Sequence, residues 1–167
     1  MYFNKNKLFV EKVDALKIVR KFGTPTYCYS LMKLKKNIHN FQESFKSIKP
    51  LVCFSVKSNS NRKILREIKK SGMGADVVSK GEMMQALRAG ILPKKIVFSG
   101  VGKKIDELKF AIEKKILLIN AESESEIFEI ERLARSKKTV VNIGLRLNPN
   151  IDAKTLKKIS TGKHEDK

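Results

Sequence analysis

The chain has 167 residues, 41% hydrophobic and 32% charged, with a mean hydropathy of -0.31 and a formal net charge of +19. That length supports one hydrophobic core of ordinary size, and no run approaches the ~18 apolar residues of a membrane span. The opening Met1-Tyr2-Phe3-Asn4-Lys5 lacks the apolar core and small-residue cleavage site of a secretory signal. Cys28 and Cys53 both lie in apolar, strand-like stretches, which favours reduced thiols over a disulfide framework and points to a cytoplasmic protein.

The charge invites a nucleic-acid reading. Its distribution along the chain argues otherwise. Lysines come in pairs, from Lys35-Lys36 through Lys69-Lys70, Lys94-Lys95, Lys103-Lys104 and Lys114-Lys115 to Lys137-Lys138, mostly at helix ends and connections rather than in one block. No aromatic-basic RNA-binding signature, zinc-finger spacing or basic-zipper pattern accompanies them. A lysine-rich surface, with no nucleic-acid and no membrane partner, is the expectation.

In chain order, residues 1–23 carry apolar character without a clean period. Thr24 to Ser30 is predicted to be a short strand, with Pro25 near its start, where a missing N–H is tolerated. Leu31, Leu34, Ile38, Phe41 and Phe45 recur at spacings of three and four and predict an amphipathic helix, with His39 beside its apolar stripe as a surface residue. Strand-like runs then begin near Val52, Ala75, Ile96, Ile116 and Val140. Helical patterns cover Asn61–Ser71, Gly81–Ala89, Ile105–Lys114 and Ser123–Ser136 between them. A repeat of roughly 20–24 residues, each a strand followed by a helix, is the mark of a parallel α/β structure. Ser123 and Glu126 have the spacing of a capping box.

Two architectures suit five such units, a doubly wound sheet or part of a (β/α)8 TIM-type barrel. A dinucleotide-binding sheet would carry its glycine fingerprint at the first strand-to-helix turn. Here that turn reads Lys57-Ser58-Asn59-Ser60-Asn61, with no glycine. Gly100-Val101-Gly102 lacks the third glycine, because Ile105 stands in its place. A barrel is the favoured reading. Five strands do not close one, so the chain is expected to be truncated.

In such barrels the functional groups stand at the carboxyl ends of the strands. Those positions are Lys57 with Asn59, Asp76 with Ser79 and Glu82, Ser99-Gly100, Asn120, and Arg146 with Asn148. Lysine is costly to bury as an ammonium. One desolvated at a strand end would lose its proton and become the amine that Schiff-base chemistry requires. Carboxylates could tune a bound cation, and an arginine could hold an anionic oxygen. Local explanations stand beside these: Ser79 and Glu82 also fit a helix cap, and Arg146 fits an ion pair at the barrel end. The only histidines are His39 and His164, so no metal site is expected.

Phe54-Ser55-Val56-Lys57-Ser58-Asn59-Ser60-Asn61 resembles the cofactor-lysine motif of pyridoxal-phosphate decarboxylases built on an alanine-racemase-like barrel. Gly74-Ala75-Asp76-Val77-Val78-Ser79-Lys80-Gly81-Glu82 and Ile96-Val97-Phe98-Ser99-Gly100-Val101-Gly102-Lys103 narrow the resemblance to the diaminopimelate decarboxylases. So do Leu145-Arg146-Leu147-Asn148-Pro149 and Ile159-Ser160-Thr161-Gly162. The resemblance runs from about Gly23 to the last residue. It implies that Lys57 carries pyridoxal 5'-phosphate through a Schiff base and that Asn59, Asp76, Glu82 and Arg146 line the cofactor site. The implied reaction is decarboxylation of meso-diaminopimelate, a small amino acid, to L-lysine, with a homodimer expected for the full-length enzyme. Sister decarboxylases acting on ornithine, arginine or carboxynorspermidine share the fold, as do non-catalytic pyridoxal-phosphate-binding proteins.

The resemblance further divides the chain at residue 23. Residues 1–23 would belong to the family's second, all-β domain, and residues 24–167 to the front of the barrel. Two departures are visible. Leu156, Lys157 and Lys158 stand where the family has a histidine followed by an aromatic, and the chain ends at Lys167, before the family's later cofactor-binding elements. On this reading the 167-residue segment alone has little or no decarboxylase activity.

Overall fold

The computed structural model describes residues 1–151, which form two compact units, one of residues 1–52 and one beginning at Cys53. The Leu156-Lys157-Lys158 departure and the Ile159-Ser160-Thr161-Gly162 motif lie outside the described residues.

The first unit opens with three antiparallel strands, β1 (Tyr2–Asn4), β2 (Lys7–Val10) and β3 (Val13–Asp14), in the order β1-β2-β3. Lys5 and Asn6 both take positive φ, as a two-residue hairpin turn demands, and Tyr2 faces Phe9 with their rings stacked at 5.5 Å. Asp14 ends β3 and caps helix α1 (Ala15–Phe22), its carboxylate accepting from the Leu16 N–H at 2.9 Å. Thr24–Ser30 is not a strand: no strand pairs with it among the described residues, and Pro25 has no N–H to offer a ladder. The segment instead delivers Ser30 as the cap of α2 (Leu31–Ser44). Glu11 accepts from the Met32 N–H and the Ser30 hydroxyl, both at 2.8 Å. Those bonds, the Met32 amide foremost, hold its carboxyl below the usual carboxylate range. Of the stripe predicted on α2, only Ile38 is buried, while Leu31, Phe41, Phe45 and His39 are exposed.

The second unit carries five strands: β4 (Cys53–Ser55), β5 (Gly74–Val77), β6 (Ile96–Phe98), β7 (Leu118–Ala121) and β8 (Ile143–Leu145). Helices α3 (Arg62–Lys70), α4 (Lys80–Arg88), α5 (Ile105–Lys114) and α6 (Glu124–Ser136) alternate with them. All neighbouring strands are parallel, and the spatial order β4-β5-β6-β7-β8 follows the chain without a reversal. A doubly wound sheet reverses its order at a switch point, so this is the singly wound arrangement of a barrel. Right-handed crossovers then place every helix on one face.

Burial confirms that placement. Ala75, Val77, Ile96, Phe98, Ile119 and Ala121 are buried beneath the helices, which contribute Leu65, Ile68, Met83, Ala86, Leu108 and Ala111. Phe98 is fully buried, a contribution of about 1.5–3 kcal/mol over leaving it exposed. The residues between them, Cys53, Ser55, Asp76, Val97, Leu118 and Asn120, point to the opposite face and are half-buried. The register ties that face together: Ser55 lies beside Asp76, Asp76 beside Val97, Val97 beside Leu118, and Asn120 beside Gly144. Gly74 has no room for a side chain, since a Cβ there would run into the Lys95 carbonyl and the Cys53 sulfur. Among the described residues β4 and β8 have one partner strand each, so the sheet is an open portion of a barrel.

Candidate active site at the carboxyl ends of the strands

Lys57 follows β4 in a single 3-10 turn, Val56–Ser58, anchored by the fully buried Val56. Its side chain is exposed, so the desolvation expected at this strand end is not supplied by the described residues. The reason is the turn itself, which carries residue 57 off the end of the sheet. Asn59 accepts from the Asn61 N–H at 3.0 Å, and Asn61 accepts from the Lys63 N–H at 2.9 Å as the cap of α3. Asn59 therefore shapes the lead into that helix. Beside this turn, Ser55 Oγ is buried without a hydrogen-bond partner among the described residues, on the face it shares with Asp76.

Asp76 begins a chain of bonds across three adjacent strands. Ser99 Oγ donates to Asp76 Oδ1 at 2.6 Å, and Asn120 Nδ2 donates to Ser99 Oγ at 3.0 Å. The serine's single proton is committed to the carboxylate, so its oxygen faces Asn120 as an acceptor. Gly144 makes the arrangement possible, because a Cβ there would collide with Asn120 Oδ1. The bonds that link these side chains fix them into a polar floor at positions where barrels usually carry bulky branched residues.

Glu82 and Ser79 form a modified helix cap. Ser79 Oγ accepts from the Glu82 N–H at 3.2 Å, but the glutamate reaches past the serine to the Val78 N–H at 3.0 Å. Ser123 and Glu126 repeat the device after β7: Ser123 Oγ accepts from the Glu126 N–H at 3.3 Å, and Glu126 accepts from the Glu122 N–H at 2.8 Å. Arg146 is an ion-pair partner, with Nη1 3.1 Å from Glu122 Oε2, and Glu122 also accepts from the Gly100 N–H at 3.1 Å.

Sequence reasoning missed the group that locks these loops. Lys103, whose side chain is 1% exposed, donates to the carbonyls of Gly100 and Asn120 at 2.7 Å and pairs with Glu126 at 3.1 Å. Its ammonium also stands 5.5 Å from the Phe98 ring. One cation thus fastens the loop after β6 to the end of β7 and the start of α6. The spacing of Lys103 from Glu126 has no local period that would reveal the pair. A cleft of about 350 Å³ opens beside it, lined by Val101, Gly102, Glu122, Ser123 and Ser125 among others. Lys57 is not on that cleft. Cys28 and Cys53 are free thiols, and burial, followed by the nearby Asp76 charge, pushes the Cys53 thiol up. No cluster of metal-ligating side chains occurs among the described residues.

Strands ordered as in a barrel, with an amine, carboxylates and an arginine at their carboxyl ends, define the front of a (β/α) barrel. Residues 31–167 match the model of the pyridoxal-dependent decarboxylases, pyridoxal binding domain, and the chain belongs to that family. It is 47% identical over 150 residues to a diaminopimelate decarboxylase of Helicobacter pylori, covering 90% of this chain and 37% of that protein. A diaminopimelate decarboxylase of Vibrio cholerae is 40% identical over 169 residues, 99% of this chain and 40% of that protein. The crystal structure of the H. pylori enzyme complexed with L-lysine superposes with a TM-score of 0.88 at 44% identity, over 91% of this chain and 39% of that one. The M. jannaschii enzyme in co-complex with L-lysine gives 0.89 at 36% identity, over 99% and 40%. The chain thus spans about two fifths of the length of these relatives.

Proposed function

We propose that this chain is the cofactor-carrying front of a pyridoxal-phosphate-dependent decarboxylase that converts meso-diaminopimelate to L-lysine. The observation that carries the reading is the polar floor Asp76–Ser99–Asn120 on the open face of the sheet, in a chain this similar to decarboxylases solved with L-lysine. The residues suit the cofactor: an accessible amine ends β4, and a buried hydroxyl without a partner among the described residues, Ser55 Oγ, lies on the same face as a carboxylate. When bound, pyridoxal phosphate supplies an electron sink for the charge that a departing carboxylate leaves behind.

The chain's own residues would divide the remaining work. Lys57 holds the cofactor covalently, while Asn59 sets the turn from which that amine projects. Asp76, held in place by the hydrogen bond from Ser99, would face the cofactor from the floor and accept a hydrogen bond from it. Glu82 and Arg146 line the rim, each held by a partner in the loops, Glu82 by the Val78 amide and Arg146 by Glu122. Residues 1–23 are assigned to a second β-domain, and a cytoplasmic homodimer is the proposed assembly of the whole enzyme.

Solved relatives that act on other amino acids support the choice of substrate. A viral arginine decarboxylase shares the fold at 18% identity, far below the 36–44% of the solved diaminopimelate decarboxylases. The test is a chimera in which residues 1–167 replace the matching front of the H. pylori enzyme. It should release L-lysine from meso-diaminopimelate, and its Lys57→Ala variant should not. Turnover of ornithine or arginine in place of meso-diaminopimelate would move the chain to a sister activity. The 167-residue chain alone should form little or no lysine.

A further inference from the structure

Four of the lysine pairs that look scattered in sequence are gathered by the fold, while Lys103-Lys104 stands in the loop after β6 at the other end of the sheet. In a parallel array every helix-to-strand connection must return to the same end of the sheet. Lys69-Lys70 end α3, and Lys94-Lys95 lead into β6. Lys114-Lys115 end α5, and Lys137-Lys138 follow α6. All four pairs therefore stand at the end of the second unit opposite Lys57 and Asp76.

Contacts between the connections show that they adjoin. Lys95 Nζ donates to the Gly72 carbonyl at 2.7 Å, and the Leu117 N–H donates to the Pro93 carbonyl at 3.1 Å. Lys137 pairs with Glu113 at 2.7 Å, and Asn142 Nδ2 donates to the Leu117 carbonyl at 3.1 Å. The acids at this end are already engaged: Glu67 with Lys70, Glu113 with Lys137 and Glu131 with Arg135. Lys69, Lys94, Lys114, Lys115 and Lys138 are exposed and form no ion pair with described residues.

Two apolar side chains stand among these cations. Leu92 is 61% and Val140 is 94% exposed, and Val140 lines one shallow depression with Lys115 and Ile116. Against the sequence-based expectation of no membrane partner, we propose that this basic end of the second unit is a docking surface for an anionic lipid membrane. Clustered lysines attract an anionic leaflet, and protruding aliphatic groups enter its headgroup region. A nucleic acid is the poorer occupant. No aromatic side chain stands in these connections for bases to stack on, and they present neither a helix side nor a strand ribbon to a groove.

The experiment is co-sedimentation of the full chain with vesicles of phosphatidylglycerol and phosphatidylcholine, and with phosphatidylcholine alone. Duplex DNA and single-stranded RNA are titrated in parallel. The chain should bind only the anionic vesicles, and the binding should fall as salt rises. The triple variant Lys94→Glu, Lys115→Glu, Lys138→Glu should bind at least about a hundredfold more weakly. The variant Arg62→Glu, Lys63→Glu, Lys104→Glu, with the same charge change at the opposite end, should keep most of the affinity. Leu92→Ser with Val140→Ser should weaken vesicle binding, with circular dichroism confirming the fold of each variant. No binding of the wild-type chain to anionic vesicles would overturn the proposal without recourse to any variant. So would equal losses in the two triple variants, or tighter binding to nucleic acid that ignores Leu92 and Val140.

Discussion

Lys103→Met should be among the most damaging single changes away from Lys57. The substitution keeps the length of the side chain and removes its charge. It leaves Glu126, whose side chain is 10% exposed, with the Glu122 amide as its remaining close partner, and it strips a donor from the carbonyls of Gly100 and Asn120. Removing one member of a buried ion pair costs about 3–5 kcal/mol, because the other charge stays behind in a poorly solvated place. At about 2–4 °C per kcal/mol for a chain of this size, the melting point should drop by roughly 6–20 °C. The companion Glu126→Gln leaves the ammonium with its two carbonyls and should cost less. The double variant should be less harmful than the sum of the two single changes, by about 1 kcal/mol or more. Urea unfolding followed by circular dichroism measures each free energy. A Lys103→Met loss below about 1 kcal/mol, or strict additivity with Glu126→Gln, would refute the reasoning that one buried cation locks these loops.

Other outcomes follow from the same geometry. Gly144→Ala should push Asn120 from Ser99 and cost about 1–3 kcal/mol in urea unfolding, whereas Gly81→Ala, whose Cβ would stand 3.8 Å from Ser79 Oγ, meets no such clash. Ser79→Ala removes the cap of α4 and should cost about 1 kcal/mol by thermal unfolding. The raised Cys53 thiol binds its proton more tightly in the folded chain than in the unfolded one. Its contribution to stability is therefore whole below the ordinary thiol value of 9.0 and is lost as pH rises toward the raised value. Comparing wild type with Cys53→Ala in urea titrations across that window should show the extra downward slope only in wild type.

Much of the second unit was legible because its local signals agree with one another. Helix spans predicted at 61–71, 81–89, 105–114 and 123–136 stand within a residue or so of the observed elements, since apolar period and capping residues mark the same ends. In the first unit the helix predicted from Leu31 to Phe45 is α2, but the hairpin before it was not legible. That hairpin turns at Lys5-Asn6, where no glycine marks the positive φ, and its strands are too short for alternation to register. The Thr24–Ser30 stretch has strand composition but no partner to pair with, and pairing is what makes a strand. At the site, the polar strand ends Asp76, Ser99, Asn120 and Arg146 could be named from sequence. Their bonds could not, because Asp76–Ser99–Asn120 and Lys103–Glu126 join residues that only the sheet register brings together. The lysine pairs carry the same lesson: their places in the chain were visible, and the convergence of four of them on one end of the sheet was a property of the topology.

Lys57 is the residue proposed to hold the cofactor. It is exposed and makes no packing contribution that its loss would expose, so Lys57→Ala should leave stability within about 0.5 kcal/mol of wild type. The decisive measurement is incubation of the chain with pyridoxal phosphate, reduction with borohydride, and peptide mapping by mass spectrometry. The expected result is one dominant pyridoxyl adduct, on Lys57, that disappears in Lys57→Ala without moving to a neighbour. Label spread over the surface lysines, with Lys57 no more modified than Lys63 or Lys104, would contradict it.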